Sequence, residues 1–290
     1  MIVTTSGLVK RYGSHTALDG VDLAVPTGSV YGLVGPNGAG KTTLLGLLAG
    51  LRRPTAGELR IDVPKQKVAV LPDTPQFDPW LTGREVVELA RTLMKAPADP
   101  DRVLADAGLA DAADRRVGGY SRGMLQRLGL AATIIGEPEV LLLDEPASAL
   151  DPAGRREVLD LIARMRGHAT VILSSHILGD VQEVCDTVGV LRAGRLLFQG
   201  PMAGLLVGRA VPAYRVQLRP PTSEVARALR AQPWVTGVEA DGPETLRVMV
   251  SSLADAEQRL SGALSTADAR VVSLAPVAAD LEDVFLELTS

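Results

Sequence analysis

Short runs of apolar residues alternate with longer amphipathic stretches over much of the chain. The runs lie at 29–34 (SVYGLV), 67–71 (KVAVL), 140–144 (VLLLD) and 170–175 (TVILSS). The first, third and fourth are nearly continuous in apolar residues, which is typical of strands buried on both faces of a parallel sheet. With the helical patterns between them, these runs predict an α/β fold from Ser29 onward.

The segments before and between these strands have patterns of their own. Residues 1–30 show short strands and turns, whereas the chain from about Thr82 to Gly136 is almost entirely helical, with a proline-broken linker at 95–102 (KAPADPDR). In DVQEVCDTVGVL, at 180–191, the apolar residues follow helical spacing, which predicts that Cys185 is a small buried apolar residue.

One helix start within the helical segment is unusually clear. In YSRGMLQR, at 120–127, Ser121 is a good N-cap. An apolar stripe of helical spacing follows it, made of Leu125, Leu128, Leu130 and Ala131. Because a helix N-terminus flanked by small residues attracts anions, the motif raises the question of which anion it binds.

The pattern changes after Gly200. It predicts a strand at 214–219, a helix at 223–232, strands at 235–240 and 245–250, a helix at 253–264 and a strand at 269–275. This β-α-β-β-α-β order is the ferredoxin-like plan. We therefore expect residues 1–210 to form one large domain and residues 211–290 a small α+β accessory domain, with the boundary near Ala210.

Composition and charge narrow the classes of function. The chain has 290 residues, one cysteine and a formal net charge of −4, so it offers no electrostatic case for nucleic acid and no internal disulfide. No stretch reaches the roughly 18 uncharged apolar residues that cross a bilayer, and the N-terminus does not resemble a secretory signal. We expect a cytoplasmic protein that does not span a membrane but is able to dock onto one.

The strongest chemical motif is GPNGAGKT at residues 35–42. It fits G-x-x-x-x-G-K-[ST], follows a predicted strand and opens an apolar helix, which is the context that a phosphate-binding loop requires. The backbone N–H groups would surround the β-phosphate, Lys41 would reach the β- and γ-phosphates, and the Thr42 hydroxyl would face Mg²⁺. A glycine-rich turn with a chance lysine is disfavoured by the flanking strand and helix.

Two further strands end in groups that suit phosphate chemistry. Asp144 and Glu145 follow VLLL at the end where a parallel sheet faces its ligand. Asp144 would hold Mg²⁺ or its water, and Glu145 would polarise the attacking water. An acidic turn at a strand end is common, so the pair becomes convincing only with the phosphate loop. His176 ends the next strand, where a γ-phosphate contact competes with a purely structural role.

These motifs together resemble the nucleotide-binding subunit of ATP-binding-cassette (ABC) transporters, over residues 1 to about 205. The resemblance implies that Tyr12 stacks on adenine, that His176 is the switch histidine and that SALD, at 148–151, couples the two sites of a dimer. It implies a phosphate loop of Gly35, Pro36, Asn37, Gly38, Ala39, Gly40, Lys41, Thr42 and Thr43.

YSRGMLQR resembles the signature sequence of that family. Ser121 and Gly123 match, whereas Arg122 and Met124 replace the usual glycine and glutamine. In the family the signature helix binds ATP held by a second cassette, which answers the question of the anion. The form Y-S-x-G-M-x-Q-R and the ending LEDVFLELT are frequent among members attached to small-molecule exporters.

One position departs from the family pattern. In VLPDTPQF, Asp73 stands where the family usually has a glutamine that touches Mg²⁺ and relays to the membrane partner. An aspartate is able to ligate Mg²⁺ but has a shorter side chain. Gln76 is an alternative for part of this role, and Asp73 is equally readable as a turn residue beside Pro72.

The resemblance implies an ABC cassette with a parallel-sheet core, an antiparallel β subdomain and a helical subdomain at about 82–136. The expected function is ATP hydrolysis with ATP and Mg²⁺, in a homodimer on the inner face of the cell membrane, coupled to a separate exporter permease that docks on the helical stretch. The alternatives are a soluble ABC ATPase of DNA repair or translation and a scaffold that does not hydrolyse ATP. The first lacks the usual coiled-coil insertion or tandem cassette, and Glu145 and His176 disfavour the second. For the C-terminal domain, a dimer contact is preferred over regulation or small-molecule binding.

Overall fold

The computed structural model describes residues 1–148, 150–206, 212–220, 222–277, 281 and 285. Packing divides the chain into two compact units, Met1–Met202 and Ala203–Ser290. The boundary expected near Ala210 falls outside the described residues, as do Ala149 of SALD and most of LEDVFLELT. The domain limits 1–210 and 211–290 therefore stay a prediction.

The elements of the described residues follow in chain order. The strands are β1 Val3–Tyr12, β2 His15–Val21, β3 Ala24–Val25, β4 Val30–Val34, β5 Ala56–Ile61, β6 Val68–Leu71, β7 Val140–Asp144, β8 Thr170–Ser175, β9 Thr187–Arg192, β10 Arg195–Pro201, β11 Ala213–Leu218, β12 Val235–Ala240, β13 Thr245–Val250 and β14 Val271–Val277. The α-helices are α1 Lys41–Leu48, α2 Gly83–Met94, α3 Pro100–Asp106, α4 Arg122–Ile134, α5 Pro152–Arg164, α6 Leu178–Val184, α7 Met202–Leu206, α8 Thr222–Arg230 and α9 Leu253–Thr266. Short 3₁₀ turns lie at Lys65–Lys67, Ala110–Ala112 and Val117–Gly119.

The core of the first unit is a six-stranded sheet in the order β10-β9-β4-β8-β7-β6. The strands from β9 to β6 are parallel, and β10 returns antiparallel to β9. Every residue of β4, β7 and β8 is buried, as their continuous apolar runs predict, whereas β6 lies at the sheet edge and is mostly half-buried. The predicted α/β architecture is confirmed.

The prediction was wrong where helix α6 ends. The helical spacing predicted through DVQEVCDTVGVL stops at Val184, and Cys185 has an extended backbone with φ −94° and ψ 139°. The rest of the segment forms β9. A contact with strand β4 determines where β9 starts, because Asp186 Oδ2 accepts a hydrogen bond from Val30 N at 3.1 Å. Cys185 is buried, as expected.

A second sheet and a helical segment flank this core. The antiparallel sheet has the order β2-β1-β3, with β5 also paired to β1, and it contains the strands predicted before residue 30. Helices α2, α3 and α4 fill the predicted helical segment. Asp99 caps α3 and Pro100 occupies its first turn, so the predicted linker ends at Asp99 rather than at residue 102.

The second unit has the predicted order of strands and helices. Its sheet runs β12-β13-β11-β14 with antiparallel neighbours, which is the ferredoxin-like arrangement. Helices α8 and α9 contribute apolar side chains to the core of this sheet: Val225, Ala226, Leu229, Ala256, Leu260 and Leu264. Within the described residues, no helix of either unit is long and apolar enough to cross a membrane.

Candidate active site

The phosphate loop connects the central strand β4 to helix α1. Gly40, directly before α1, has φ 109°, a left-handed conformation that favours glycine. A Cβ at Gly40 would lie 2.6 Å from Ala17 O and 2.8 Å from Leu18 Cδ2, so there is no space for a side chain either. The loop thus brings backbone N–H groups and the positive end of α1 to one point, which suits a phosphate.

Lys41 begins α1 and is buried. Its Nζ donates a hydrogen bond to Gly35 O at 2.8 Å and lies 3.2 Å from Glu145 Oε1. The ammonium group is therefore held over the loop, next to the carboxylate at the end of β7. This geometry joins the two strongest sequence motifs in one site.

The acidic pair at the end of β7 is organised by a serine of the neighbouring strand. Ser174 Oγ donates to Asp144 Oδ1 at 2.6 Å and accepts a hydrogen bond from Glu145 N at 2.9 Å. Ser174 lies opposite Asp144 in the β7–β8 register and is fully buried. The sequence pattern does not predict a role for Ser174, although it is a polar residue inside a buried apolar run.

Glu145 is also held by His176. Its Oε2 lies 2.8 Å from His176 Nδ1 and accepts a weaker contact from His176 N at 3.4 Å. With Lys41 on its other oxygen, the carboxylate is fixed at both ends. A carboxylate fixed beside a phosphate loop is well placed to act as a general base.

The phosphate loop, Lys41 and Glu145 border a cavity of about 410 Å³, whereas Asp144 and His176 are not among the described residues that line it. Its lining residues are Tyr12, His15, Ala17, Asn37, Gly38, Ala39, Gly40, Lys41, Thr42, Thr43, Asp73 and Glu145. Tyr12 and His15 face each other across the turn between β1 and β2. His15 was not predicted from the sequence, because nothing in its local pattern points to a ligand.

Asp73 lies in the cavity lining, whereas Gln76 is not among the described residues that line it. Asp73 Oδ1 accepts a hydrogen bond from Ser148 Oγ at 3.0 Å, so it is tied to the segment that follows the acidic pair. In the described residues there is no group of three or more His, Cys, Asp or Glu side chains arranged to hold a metal ion by themselves. Of the oxygen donors predicted for Mg²⁺, Thr42 and Asp73 line the cavity, and Asp144 directly precedes Glu145 at the end of β7. Such a set fits Mg²⁺, because this ion uses one or two carboxylates together with substrate phosphates.

Ser121 and Gly123 do not join this group. Ser121 is the N-cap of α4, and its Oγ accepts a hydrogen bond from Met124 N at 3.3 Å. Neither residue is among the described residues that line the cavity. The predicted site residues of one chain therefore form the phosphate-loop side of a site and leave the signature motif elsewhere.

A parallel sheet with a glycine loop before a buried lysine, and an acidic pair on a strand of the same sheet, defines a P-loop nucleoside triphosphatase. The sequence matches the ABC transporter family over residues 18–148. It is 38% identical to the daunorubicin resistance ATP-binding protein DrrA3 of Streptomyces coeruleorubidus, covering 99% of this chain and 95% of that protein. It is 37% identical to the bacitracin transport ATP-binding protein BcrA of Bacillus licheniformis, covering 69% of this chain and 70% of that protein.

A solved structure of an ATP-binding subunit of an ABC transporter matches with a TM-score of 0.64 and 25% identity, covering 71% of this chain and 92% of that chain. The chain belongs to the ATP-binding subunits of ABC transporters. It is an ATPase that drives transport, and a membrane permease is its implied partner. The alternative of a soluble ATPase of DNA repair or translation has no support among these relatives.

Proposed function

We propose that the chain binds ATP with Mg²⁺ in the cavity between Tyr12 and Glu145 and uses its hydrolysis to power an exporter. The observation that carries this proposal is the contact series from Lys41 through Glu145 to His176 beside the phosphate loop. It unites a phosphate-binding cation, a carboxylate base and a group that orients the base.

Each residue has a definite task in this proposal. The loop amides and Lys41 bind the phosphates, and Thr42, Asp144 and Asp73 hold Mg²⁺, which neutralises phosphate charge when bound. Glu145 accepts the proton of the attacking water, while His176 keeps the carboxylate aimed at it. Ser174 keeps Asp144 and Glu145 in register at the end of β7.

The complete site needs a second chain. Ser121 and Gly123 would contact the γ-phosphate of ATP held by the partner of a homodimer, because each chain has a separate signature helix. ATP then closes the two chains, and hydrolysis lets them part. On the cytoplasmic face of the membrane, these movements drive a separate permease.

Export is supported by the relatives, one of which is described as a drug resistance protein and another as an antibiotic transport protein. The test is to remove the gene from its own host and to measure cell-associated daunorubicin, bacitracin and a panel of other antibiotics. Wild-type chain should restore low accumulation of at least one compound, whereas the Lys41→Ala variant at equal abundance should not. Equal accumulation of every compound with and without the gene would contradict export of antibiotics.

A further inference from the structure

Tyr12 makes polar contacts with Arg52 that stacking on a nucleotide base does not require. It ends β1, lines the cavity and is 43% exposed. Arg52 Nη1 donates a hydrogen bond to Tyr12 Oη at 2.9 Å, and the Arg52 guanidinium carbon lies 5.8 Å from the ring centre. A half-exposed ring at a strand end would otherwise be free to change its rotamer, so this contact restricts its orientation.

Arg52 reaches Tyr12 by passing along helix α1. Its backbone N donates to Gly46 O at 3.1 Å, and its Nη1 lies 3.4 Å from Thr43 Oγ1. A Cβ at Gly46 would lie 3.2 Å from Arg52 Cδ and 3.3 Å from its Nε, so the glycine leaves the space that the arginine stem occupies. Arg52 thereby connects the helix of the phosphate loop to the Tyr12 ring.

A second cation, Lys10, lies near the same ring but makes its hydrogen bond to a different group. Lys10 Nζ lies 4.9 Å from the centre of the Tyr12 ring and donates to the backbone carbonyl of Arg53 at 2.8 Å. Both Lys10 and Tyr12 belong to β1, so Lys10 does not link the ring to α1. Of these two cations, Arg52 is the one that contacts both the Tyr12 side chain and the Thr43 side chain of α1.

We propose that Arg52 is a positioning residue for nucleotide recognition: it fixes the Tyr12 ring, relative to the phosphate loop, as the surface on which the base of the nucleotide stacks. The inference rests on the proposed function, in which Tyr12 contacts the base. It follows that the base and the phosphates of the nucleotide contribute separately to its binding free energy. Loss of Arg52 weakens the base-dependent part of nucleotide affinity and leaves the phosphate-dependent part unchanged.

The test compares two probes on the full chain with Mg²⁺: ADP, which carries the base, and inorganic pyrophosphate, which lacks it. We expect Arg52→Ala to raise the Kd for ADP by about three- to tenfold, the effect of one hydrogen bond, and to change the Kd for pyrophosphate by less than about twofold. Arg53→Ala is the matched control, because it removes one positive charge from the next position but keeps the carbonyl that Lys10 contacts. It should alter neither Kd.

The proposal is overturned if Arg52→Ala leaves ADP affinity unchanged, or if it weakens pyrophosphate as much as ADP, since Arg52 would then act on the phosphates through its charge. Tyr12→Phe keeps the ring and removes the acceptor, so it should weaken ADP, and combining it with Arg52→Ala should give no further loss. Tyr12→Ala tests the base contact of Tyr12 separately from the positioning role of Arg52. If Tyr12→Ala leaves ADP affinity intact, the proposed base contact fails; if it weakens ADP while Arg52→Ala does not, only the role of Arg52 fails.

Discussion

Glu145 has a backbone conformation that few non-glycine residues adopt. Its φ is 50°, in the left-handed region, and its amide donates to the buried Ser174 Oγ. Such conformations cost about 1–3 kcal/mol and persist where the surroundings hold them in place. Here the strained residue is the one that contacts both Lys41 and His176, which supports its assignment as the base.

We expect Glu145→Gln to retain ATP binding while lowering turnover by about 10²–10⁴-fold, the usual loss for a general base. The amide keeps the shape of the side chain but cannot accept the proton. Steady-state ATPase rates and ATP binding measure the two effects separately. Glu139→Gln, at the other end of the same strand region, is the control for loss of one carboxylate. A decrease of less than severalfold in Glu145→Gln would assign the base elsewhere.

Asp73 allows a prediction about Mg²⁺. If its carboxylate contributes to the metal site, Asp73→Ala should raise the Mg²⁺ concentration for half-maximal ATPase activity, whereas Asp73→Gln should change it little. Ser148→Ala is the control, because it removes the hydrogen bond to Asp73 without removing the carboxylate. An unchanged Mg²⁺ dependence in Asp73→Ala would leave Asp73 as a turn residue.

At the scale of elements, the site depends on the neighbouring ends of β7 and β8. The Ser174 hydroxyl of β8 makes hydrogen bonds to both members of the acidic pair at the end of β7. Without its hydroxyl, the Glu145 amide and one Asp144 oxygen each lose a partner in a buried environment, which costs about 1–3 kcal/mol per group.

We therefore expect Ser174→Ala to lower kcat by about tenfold or more and to raise the Mg²⁺ requirement, with a smaller loss in Ser174→Thr. Ser175→Ala is the matched control, because Ser175 lies next to it and its hydroxyl contacts the backbone of Ile177. Thermal unfolding measures the stability of each variant. If Ser174→Ala and Ser175→Ala lose equal activity, Ser174 does not position the acidic pair.

The elements that could be predicted from the sequence are those whose own residues carry the pattern of a strand or a helix. Strands β4, β7 and β8 are continuous apolar runs, and α4 has a serine cap and an apolar stripe. The end of α6 was not predictable in this way, because the Asp186 contact to Val30 that starts β9 joins residues far apart in the chain.

The same distinction applies to the site. The phosphate loop and the acidic pair are contiguous motifs, and the structure brings the loop and Glu145 of the pair together in one cavity. His15, Arg52 and Ser174 carry no motif, and Arg52 and Ser174 make their contacts with segments 40 and 30 residues away in the chain. Sequence patterns indicate which chemistry is present, whereas the fold determines which side chains support it.

At the scale of the whole molecule, the separation of the signature motif from the cavity is the feature from which we infer a second chain. Ser121 is exposed at the start of α4, and Lys41 is buried at the start of α1. If Ser121 and Gly123 serve the ATP of a partner, each site consists of two halves from different chains. A Lys41→Ala chain then lacks the phosphate-loop half, and a Ser121→Arg chain lacks the signature half.

Each homodimer of these variants should be nearly inactive, because both of its sites are damaged. In a mixed dimer one site receives both substitutions, while the other combines an intact Lys41 with an intact Ser121. We therefore expect mixing to restore part of the ATPase activity, with tagged pull-down to confirm that mixed dimers form. A signature helix that serves its own chain predicts no restoration at any ratio.

Should mixed dimers form and stay inactive, crosslinking between cysteines introduced near Lys41 and Ser121 decides whether the halves meet. Burial raises the pKa of the native Cys185 thiol, so it should not compete in that reaction.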